Sequence, residues 1–598
     1  MGGREVPGHD TGRQGDPREW LQGAALDLYE HLDAVGEIRR LKQMPQLGAV
    51  AWMRPEAKHT RWDSVALALW QAKRIAHLDS IFGDYGKIEI NGHRVGAGRD
   101  LMQCWIMLAN CGHLWGSYAT VKPVMDALRA PGSARDTFLR GLPTNADRAY
   151  AGWALDYYIL YRLGLSLATG FIHLLPAHRK AKNRAVWLAM LRAVCEPGLF
   201  DYEVVRLYRV YDVLRRLAQY CVDLAHARLP VTMDISVIEQ DPAHYLKEVV
   251  MAETGPLHAL LDSLRGYVPY EVYLTPDVVL ATRLLQLQAG PQVREDLNAA
   301  QSPEDLFARL HAMASPEAWP MVGDVVRTCR SGEYVHLHRA FPPQRRSADP
   351  KAFAAQAPRL QSRLTRQVAA DVLVHVVASD LTERFIDFYV RRETGPADLA
   401  RTLTVVCSQM TRPPASAVRS PAPRPSRGAQ VRTLMTSLLS LMLRDARHVR
   451  VREYPDLSGD DAFLLVRGRD EARARRQVEQ QRRRAADGPR RRALQALGAS
   501  LRARPAGRCR AVMLNGFEVA PGPGKGRSAA ELDGAYLDLS PGCATLYLVE
   551  AASTGDGSDA VRRLRGILRR LGWLTGSELT PLEGGAEAAV PVRLRARP

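Results

Sequence analysis

The chain has 598 residues, 46% hydrophobic and 24% charged, with a formal net charge of +18. That length exceeds what one core serves and predicts several domains, while the composition excludes a disordered, collagen-like or disulfide-stapled chain. No run of about 18 consecutive apolar residues occurs, so no membrane span is expected. The opening MGGREVPGHDTGRQGDPREW is polar and lacks the apolar stretch of a secretory leader, so residues 1–17 read as a loose tail. Eight cysteines (104, 111, 195, 221, 329, 407, 509 and 543) include no C-x-x-C pair. Neither a zinc ribbon nor a redox dithiol is indicated, and a reducing cytoplasm is the simplest setting.

Residues 18–240 read as a helical domain. WDSVALALWQAKRIAHLDSIF, DLMQCWIMLANC and YAGWALDYYILYRLGLSLATGFIHLL repeat apolar residues at three- and four-residue spacing, and Pro143, Pro176, Pro197 and Pro230 mark breaks between helices. Residues 241–411 continue as a helical middle region, with ETGPLHALLDSLRGYV, SPEDLFARLHAMA and TRQVAADVLVHVVASDLTERFIDFYV as its clearest helical segments. Within it, His336-x-His338 in EYVHLHRAF puts two imidazoles on one face of a strand, a candidate metal pair lacking a third ligand. Residues 412–428, RPPASAVRSPAPRPSRG, form a Pro/Arg-rich linker.

Residues 429–598 change texture. A helix (VRTLMTSLLSLMLRDA) precedes the strands HVRVREY and AFLLVRG. An arginine-rich helix follows, then strand-like CRAVMLNGFEV, AYLDL and ATLYLVEAA, and last the amphipathic SDAVRRLRGILRRLG. That order argues for a small α/β domain. Between Arg467 and Arg510, fifteen arginines stand against Asp470, Glu471, Glu479 and Asp487. Such a segment attracts phosphate backbones, and a solvated helix face explains it equally well because no aromatic residues interleave the run.

Two fragments carry family resemblances. The first lies in the N-terminal helices, at Thr60-Arg61-Trp62-Asp63-Ser64, at Met107-Leu108-Ala109-Asn110-Cys111-Gly112-His113, and at Asp223 in LAQYCVDLAHARLPV. In order and spacing these resemble the HD-domain phosphohydrolases, especially their deoxynucleotide-triphosphohydrolase-like branch. The resemblance implies an all-helical fold and a divalent-metal site of His, His-Asp and Asp. Here Ser64 stands at the first His, Ala109 and Asn110 stand at the His-Asp pair, and Asp223 matches the final Asp, so a degenerate site marked by Arg61, Asn110, His113 and Asp223 is implied. Ala109 offers no ligand and Asn110 only a neutral carbonyl, so an HD-type metallohydrolase is expected to be inactive. His59 is a candidate replacement for the first ligand. Read without the resemblance, Asn110-Cys111-Gly112 is a helix end with Gly112 in the left-handed position and His113 packed beyond it.

The second fragment is Ala530-Glu531-Leu532-Asp533-Gly534-Ala535-Tyr536-Leu537 followed by Leu546-Tyr547-Leu548-Val549-Glu550-Ala551-Ala552. It resembles the PD-(D/E)xK nucleases, which implies a restriction-endonuclease-like domain with Mg²⁺ held by Asp533 and Glu550. Ala552 stands where the family's Lys belongs, leaving Lys525 in GPGKGRS as the nearest catalytic candidate. Arg482, Arg483, Arg484, Arg490, Arg491, Arg492, Arg562 and Arg563 are the candidate nucleic-acid contacts. An ordinary hairpin with solvent-exposed acids is the plain alternative.

The expected fold is therefore mainly α with a C-terminal α/β domain of restriction-endonuclease-like type. Three readings of function stay open. One is a pseudo-enzyme that binds DNA, RNA or a nucleotide, in a setting such as bacterial defence or nucleic-acid processing. Another is an active Mg²⁺-dependent nuclease using Asp533 and Glu550. The third is a non-catalytic helical scaffold for protein partners.

Overall fold

The computed structural model describes residues 16–54, 57, 59–74, 89–90, 93–94, 98–142, 157–195, 202–224, 255–341, 350–377, 385–410, 427–442, 449–453, 463–467, 476, 478–480, 482–483, 494–495, 497–498, 509–513, 517–521, 530–532, 534–540, 543–551, 562, 564–565, 580–581 and 587–595. It divides into two compact units at Cys329/Arg330, with the short pieces 349–355 and 378–382 belonging to the first. The division falls inside the segment 241–411 that the sequence suggests is one middle region. No helix among the described residues is long and apolar enough to cross a membrane.

Among its described residues the first unit is helical apart from the short hairpin β1 (Glu89–Ile90) and β2 (His93–Arg94). The helices that shape its site are α1 (Gly23–Ala34), α2 (Glu37–Gln43), α3 (Arg61–Arg74), α4 (Gly98–Leu108), α5 (Tyr157–Leu174), α6 (Pro176–Arg179), α7 (Tyr202–Asp223) and α8 (Pro303–Ala312). In α3 the residues Trp62, Val65, Leu69 and Ala72 recur at helical spacing and are all buried. α4 is buried on every side, from Leu101 to Leu108, as expected of a helix that is apolar all round. α7 packs on both, burying Val210, Leu214, Leu217 and Cys221. Each fully buried aliphatic side chain in this stack contributes about 1.5–3 kcal/mol.

The second unit combines helices with antiparallel sheets. β3 (Tyr334–Ala340), β4 (Val372–Val377) and β5 (Phe385–Arg391) form one sheet in the order β3-β5-β4. This corrects the helical reading of TRQVAADVLVHVVASDLTERFIDFYV. The helix Pro350–Gln367 ends three residues into it, and VLVHVV and FIDFYVR are strands. Four valines in six residues favour the pleated surface over a helix, a choice that periodicity alone does not make for short apolar runs. The edge strand β4 is closed by a side chain, since Gln361 donates to Val374 O (2.6 Å) and accepts from Val376 N (2.7 Å).

The remaining strands are β6 (Val449–Glu453), β7 (Phe463–Arg467), β8 (Cys509–Met513), β9 (Phe517–Pro521), β10 (Ala530–Leu532), β11 (Gly534–Ser540), β12 (Cys543–Ala551), β13 (Thr580–Pro581) and β14 (Glu587–Arg595). They make a six-stranded sheet, β13-β14-β12-β11-β8-β7, and a three-stranded one, β10-β9-β6. CRAVMLNGFEV, a single strand-like stretch in the sequence, thus supplies two strands to two sheets. Strands are present in the C-terminal region as expected, and every described strand pair there is antiparallel. Helices α9 (Pro396–Met410) and α10 (Arg427–Met442) pack on these sheets. Residues 427 and 428, assigned to the linker from composition, open α10.

Candidate functional site in the helical unit

The start of α3 is fixed locally. Thr60 donates to Asp63 Oδ2 through its backbone N (2.6 Å) and its Oγ1 (3.1 Å), so Asp63 reaches back to the N-cap as in a capping box. That sets Arg61 at the first helical position and Ser64 one turn later on the same face. Arg61 donates to Ser117 Oγ (2.7 Å) and Gln46 O (3.4 Å), while its Nε and Ser64 Oγ are buried without a hydrogen-bond partner. Ser117 holds a φ of 52°, strained for a residue with a Cβ, and such strain persists only where surrounding contacts fix it.

Asp223 ends α7 with no exposed surface. His59 Nε2 lies 2.8 Å from its Oδ1, and the Tyr273 hydroxyl donates to its Oδ2. Gln219 in turn donates to that hydroxyl at 2.9 Å. An ionised carboxylate only accepts, so the His59 Nε2 carries hydrogen. Burial lowers the Arg61 guanidinium to about 10, against the pull of Asp223, so Arg61 stays cationic at neutral pH. His113 is half-buried; burial, then Arg61, Arg40 and Arg215, hold its imidazole well below the usual range. The result is a neutral imidazole ringed by arginines.

The turn that carries His113 is held from behind. Arg40 donates to Cys111 O (2.6 Å) and His113 O (2.7 Å), taking up carbonyls that the end of α4 leaves open. Its Nε donates to Glu37 Oε2 at 2.6 Å. Gly112 is required by close approach: a Cβ there would lie 1.7 Å from Gly164 O in α5. Its backbone is not in the left-handed region, which corrects the expectation of a left-handed cap. LANCGH therefore ends a helix by backbone-to-backbone packing and an arginine fork.

Of the residues that sequence singles out here, Arg61 interacts electrostatically with both Asp223 and His113. Asn110 donates its amide to Ile106 O at 2.8 Å, one turn back in its own helix. His59 binds Asp223 directly rather than standing beside it as a second open donor. Tyr273, Gln219, Arg215, Arg40 and Glu37 carry no signal in the sequence, since each meets the site through a distant partner. The HD metal does not fit these residues. Ala109 is apolar, Asn110 is turned to a carbonyl, and both Asp223 oxygens are taken by His59 and Tyr273. Among the described residues no three His, Cys, Asp or Glu side chains are arranged to hold a metal ion. No protein-family model and no curated protein matches the chain.

In the second unit Asp533, Lys525, Arg484, Arg490, Arg491, Arg492 and Arg563 lie outside the described residues, and the side chain of Glu550 does too. Glu550 stands in β12 opposite Ala588, and Gly534 pairs with Val549 across the β11–β12 hairpin. Arg482 and Arg483 both pair with Glu479, at 2.6 and 3.3 Å, so part of that positive face is neutralised within its own helix. Arg562 is exposed.

His336 and His338 do not form a pair. A bulge between them places His336 opposite Tyr389 and His338 opposite Phe388, and since neighbours on β5 face opposite ways, so do the two imidazoles. His336 and Arg339 converge on buried Asp387, which Arg339 grips with two bonds (2.8 and 2.7 Å). His338 is fully buried, with neither ring nitrogen bonded.

Proposed function

We propose that the chain binds phosphate-bearing ligands, nucleic acid or nucleotide, through an HD-like helical module that does not hydrolyse them and a nuclease-like C-terminal module of restriction-endonuclease type. The observation that carries this reading is that Arg61 interacts with both neutral His113 and Asp223 while no three His, Cys, Asp or Glu among the described residues are arranged to hold a metal. A fixed guanidinium beside a neutral imidazole and an unbonded Ser64 hydroxyl suits an anion, while nothing in that set generates an activated water.

A second reading, a Mg²⁺-dependent nuclease using Asp533 and Glu550 with Lys525 in place of the missing Lys, is favoured by one feature. The residues next to the two acids, Gly534 and Val549, face each other on adjacent strands. Incubating the purified chain with labelled single- and double-stranded DNA and RNA, with Mg²⁺, Mn²⁺ or EDTA, separates the two. Salt-sensitive binding without cleavage supports the first. Metal-dependent cleavage lost in Asp533→Ala and Glu550→Ala establishes the second. Absence of binding to nucleic acid and nucleotide overturns both and leaves a scaffold for protein partners.

A further inference from the structure

We propose that Glu37 and Arg40 are positioning residues for the His113 turn, and that the imidazoles gathered on Glu37 make their hold on it depend on pH. Glu37 opens α2 and is 2% exposed. Charged or titratable groups of α2, α6 and α8 reach its carboxylate. Arg40 Nε, from α2 itself, reaches Oε2 at 2.6 Å; His311 Nε2 from α8 and His178 Nε2 from α6 reach Oε1 at 2.8 and 3.4 Å. Behind His178, its Nδ1 lies 3.1 Å from His31 Nε2 in α1. Arg40 links this cluster to the site, because the guanidinium that Glu37 orients is the one that binds the carbonyls of Cys111 and His113.

The tautomers follow from the partners. Ionised Glu37 accepts, so Nε2 of His178 and of His311 carries hydrogen. With His178 neutral, its Nδ1 accepts from His31 Nε2–H. A proton added to His178 places N–H against N–H, which His31 relieves only by shifting its own hydrogen to Nδ1. A second proton, on His31, leaves two imidazolium rings in contact. Burial and His178 already hold His31 below the ordinary imidazole value, and Arg40, His178 and His311 hold Glu37 well below the carboxylate range. Acid therefore sets as many as three cations on one carboxylate, with His31 a fourth behind His178, and the element that yields is the fork on the turn. Glu37 and Arg40 thereby regulate the site read above as ligand-binding, and the ligand half of the inference rests on that reading.

The test uses the full chain in EDTA and two readouts. Hydrogen exchange of the backbone in residues 109–117, corrected for intrinsic rates, is expected to speed up between pH 7.5 and 5.5 in wild type. In Glu37→Gln it should be fast at both values. Tripolyphosphate affinity by calorimetry should fall about tenfold in Glu37→Gln and keep only the pH dependence of the ligand's own ionisation. Arg40→Lys, which keeps the charge but not the fork, should behave likewise. His311→Gln, at the 34% exposed end of the network, should flatten the pH profile with little loss of stability, and it carries the test where Glu37→Gln fails to fold. Exchange and affinity unchanged in folded Arg40→Lys and His311→Gln overturn the inference and leave the binding reading intact. Exchange that follows Glu37 in a chain that binds no tripolyphosphate upholds the positioning of the turn and removes the binding reading.

Discussion

His59 and Asp223 stand 164 residues apart in the chain and meet at 2.8 Å, Nε2 to Oδ1, on a carboxylate with no exposed surface. Replacing that carboxylate by an amide leaves one buried donor facing Tyr273, whose hydroxyl already accepts from Gln219. Asp223→Asn is therefore expected to destabilise the helical unit by about 2 kcal/mol, the cost of one unsatisfied buried group. Tyr273→Phe should lose about 1 kcal/mol. Urea unfolding of both variants measures this, and equal, negligible shifts would show that these buried contacts do not stabilise the unit.

Gly112 has no room for a side chain. A Cβ 1.7 Å from Gly164 O and 2.9 Å from Ala168 N meets backbone, which does not rotate away as a side chain does. Gly112→Ala is expected to cost about 3 kcal/mol or more, at the upper end of overpacking. It should also separate α4 from α5. A thermal midpoint within a degree or two of wild type would contradict this packing.

These two positions show what the sequence makes legible. Arg61, His113 and Asp223 stand out only through the HD resemblance, by the order and spacing of its fragments. What stayed hidden depends on distance. Glu37 meets His178 and His311 across 141 and 274 residues, and neither His nor Glu has a local pattern announcing the other. In the second unit the bulge after His336 turned a one-face pair into two faces, and bulges leave no periodic trace. β14 was missed because Pro591 sits inside it, opposite Tyr547, and proline argues against a strand.

The second unit should weaken in acid well before its carboxylates protonate. Burial, then His336 and Arg339, lower His338 to about 3. A base whose folded value is depressed binds protons better when unfolded. Stability is therefore complete above the ordinary value near 6.5 and is lost as pH falls below it. By about pH 5 the loss is roughly 2 kcal/mol. Asp387 is depressed by Arg339 and His336, so its contribution is present above the ordinary carboxylate value and is lost only below it. His338→Phe removes two unbonded nitrogens and should stabilise the unit by about 1–2 kcal/mol. It should also flatten stability between pH 6.5 and 5. Denaturant melts across that range decide it, and a variant that keeps the wild-type slope assigns the acid sensitivity elsewhere.

Arg61 places a permanent positive charge one helical turn before Ser64, the position where the HD resemblance puts the first metal-binding His. An anion bound there would be held by a guanidinium instead of a dication, so EDTA should leave its affinity unchanged. Arg61→Ala should abolish tripolyphosphate binding. Arg61→Lys should weaken it at least tenfold, because the ammonium keeps the charge but cannot reach Ser117, the backbone of Gln46 and a ligand from one planar group. Ser64→Ala should cost several-fold, about what one hydrogen bond to a charged group supplies. Calorimetry in EDTA and again in excess Mn²⁺ makes the comparison. Affinity that appears only with the metal would mean that ligands assemble around a cation after all, with Asp223 released from Tyr273. Affinity that ignores both the metal and Arg61 would place the anion at another arginine.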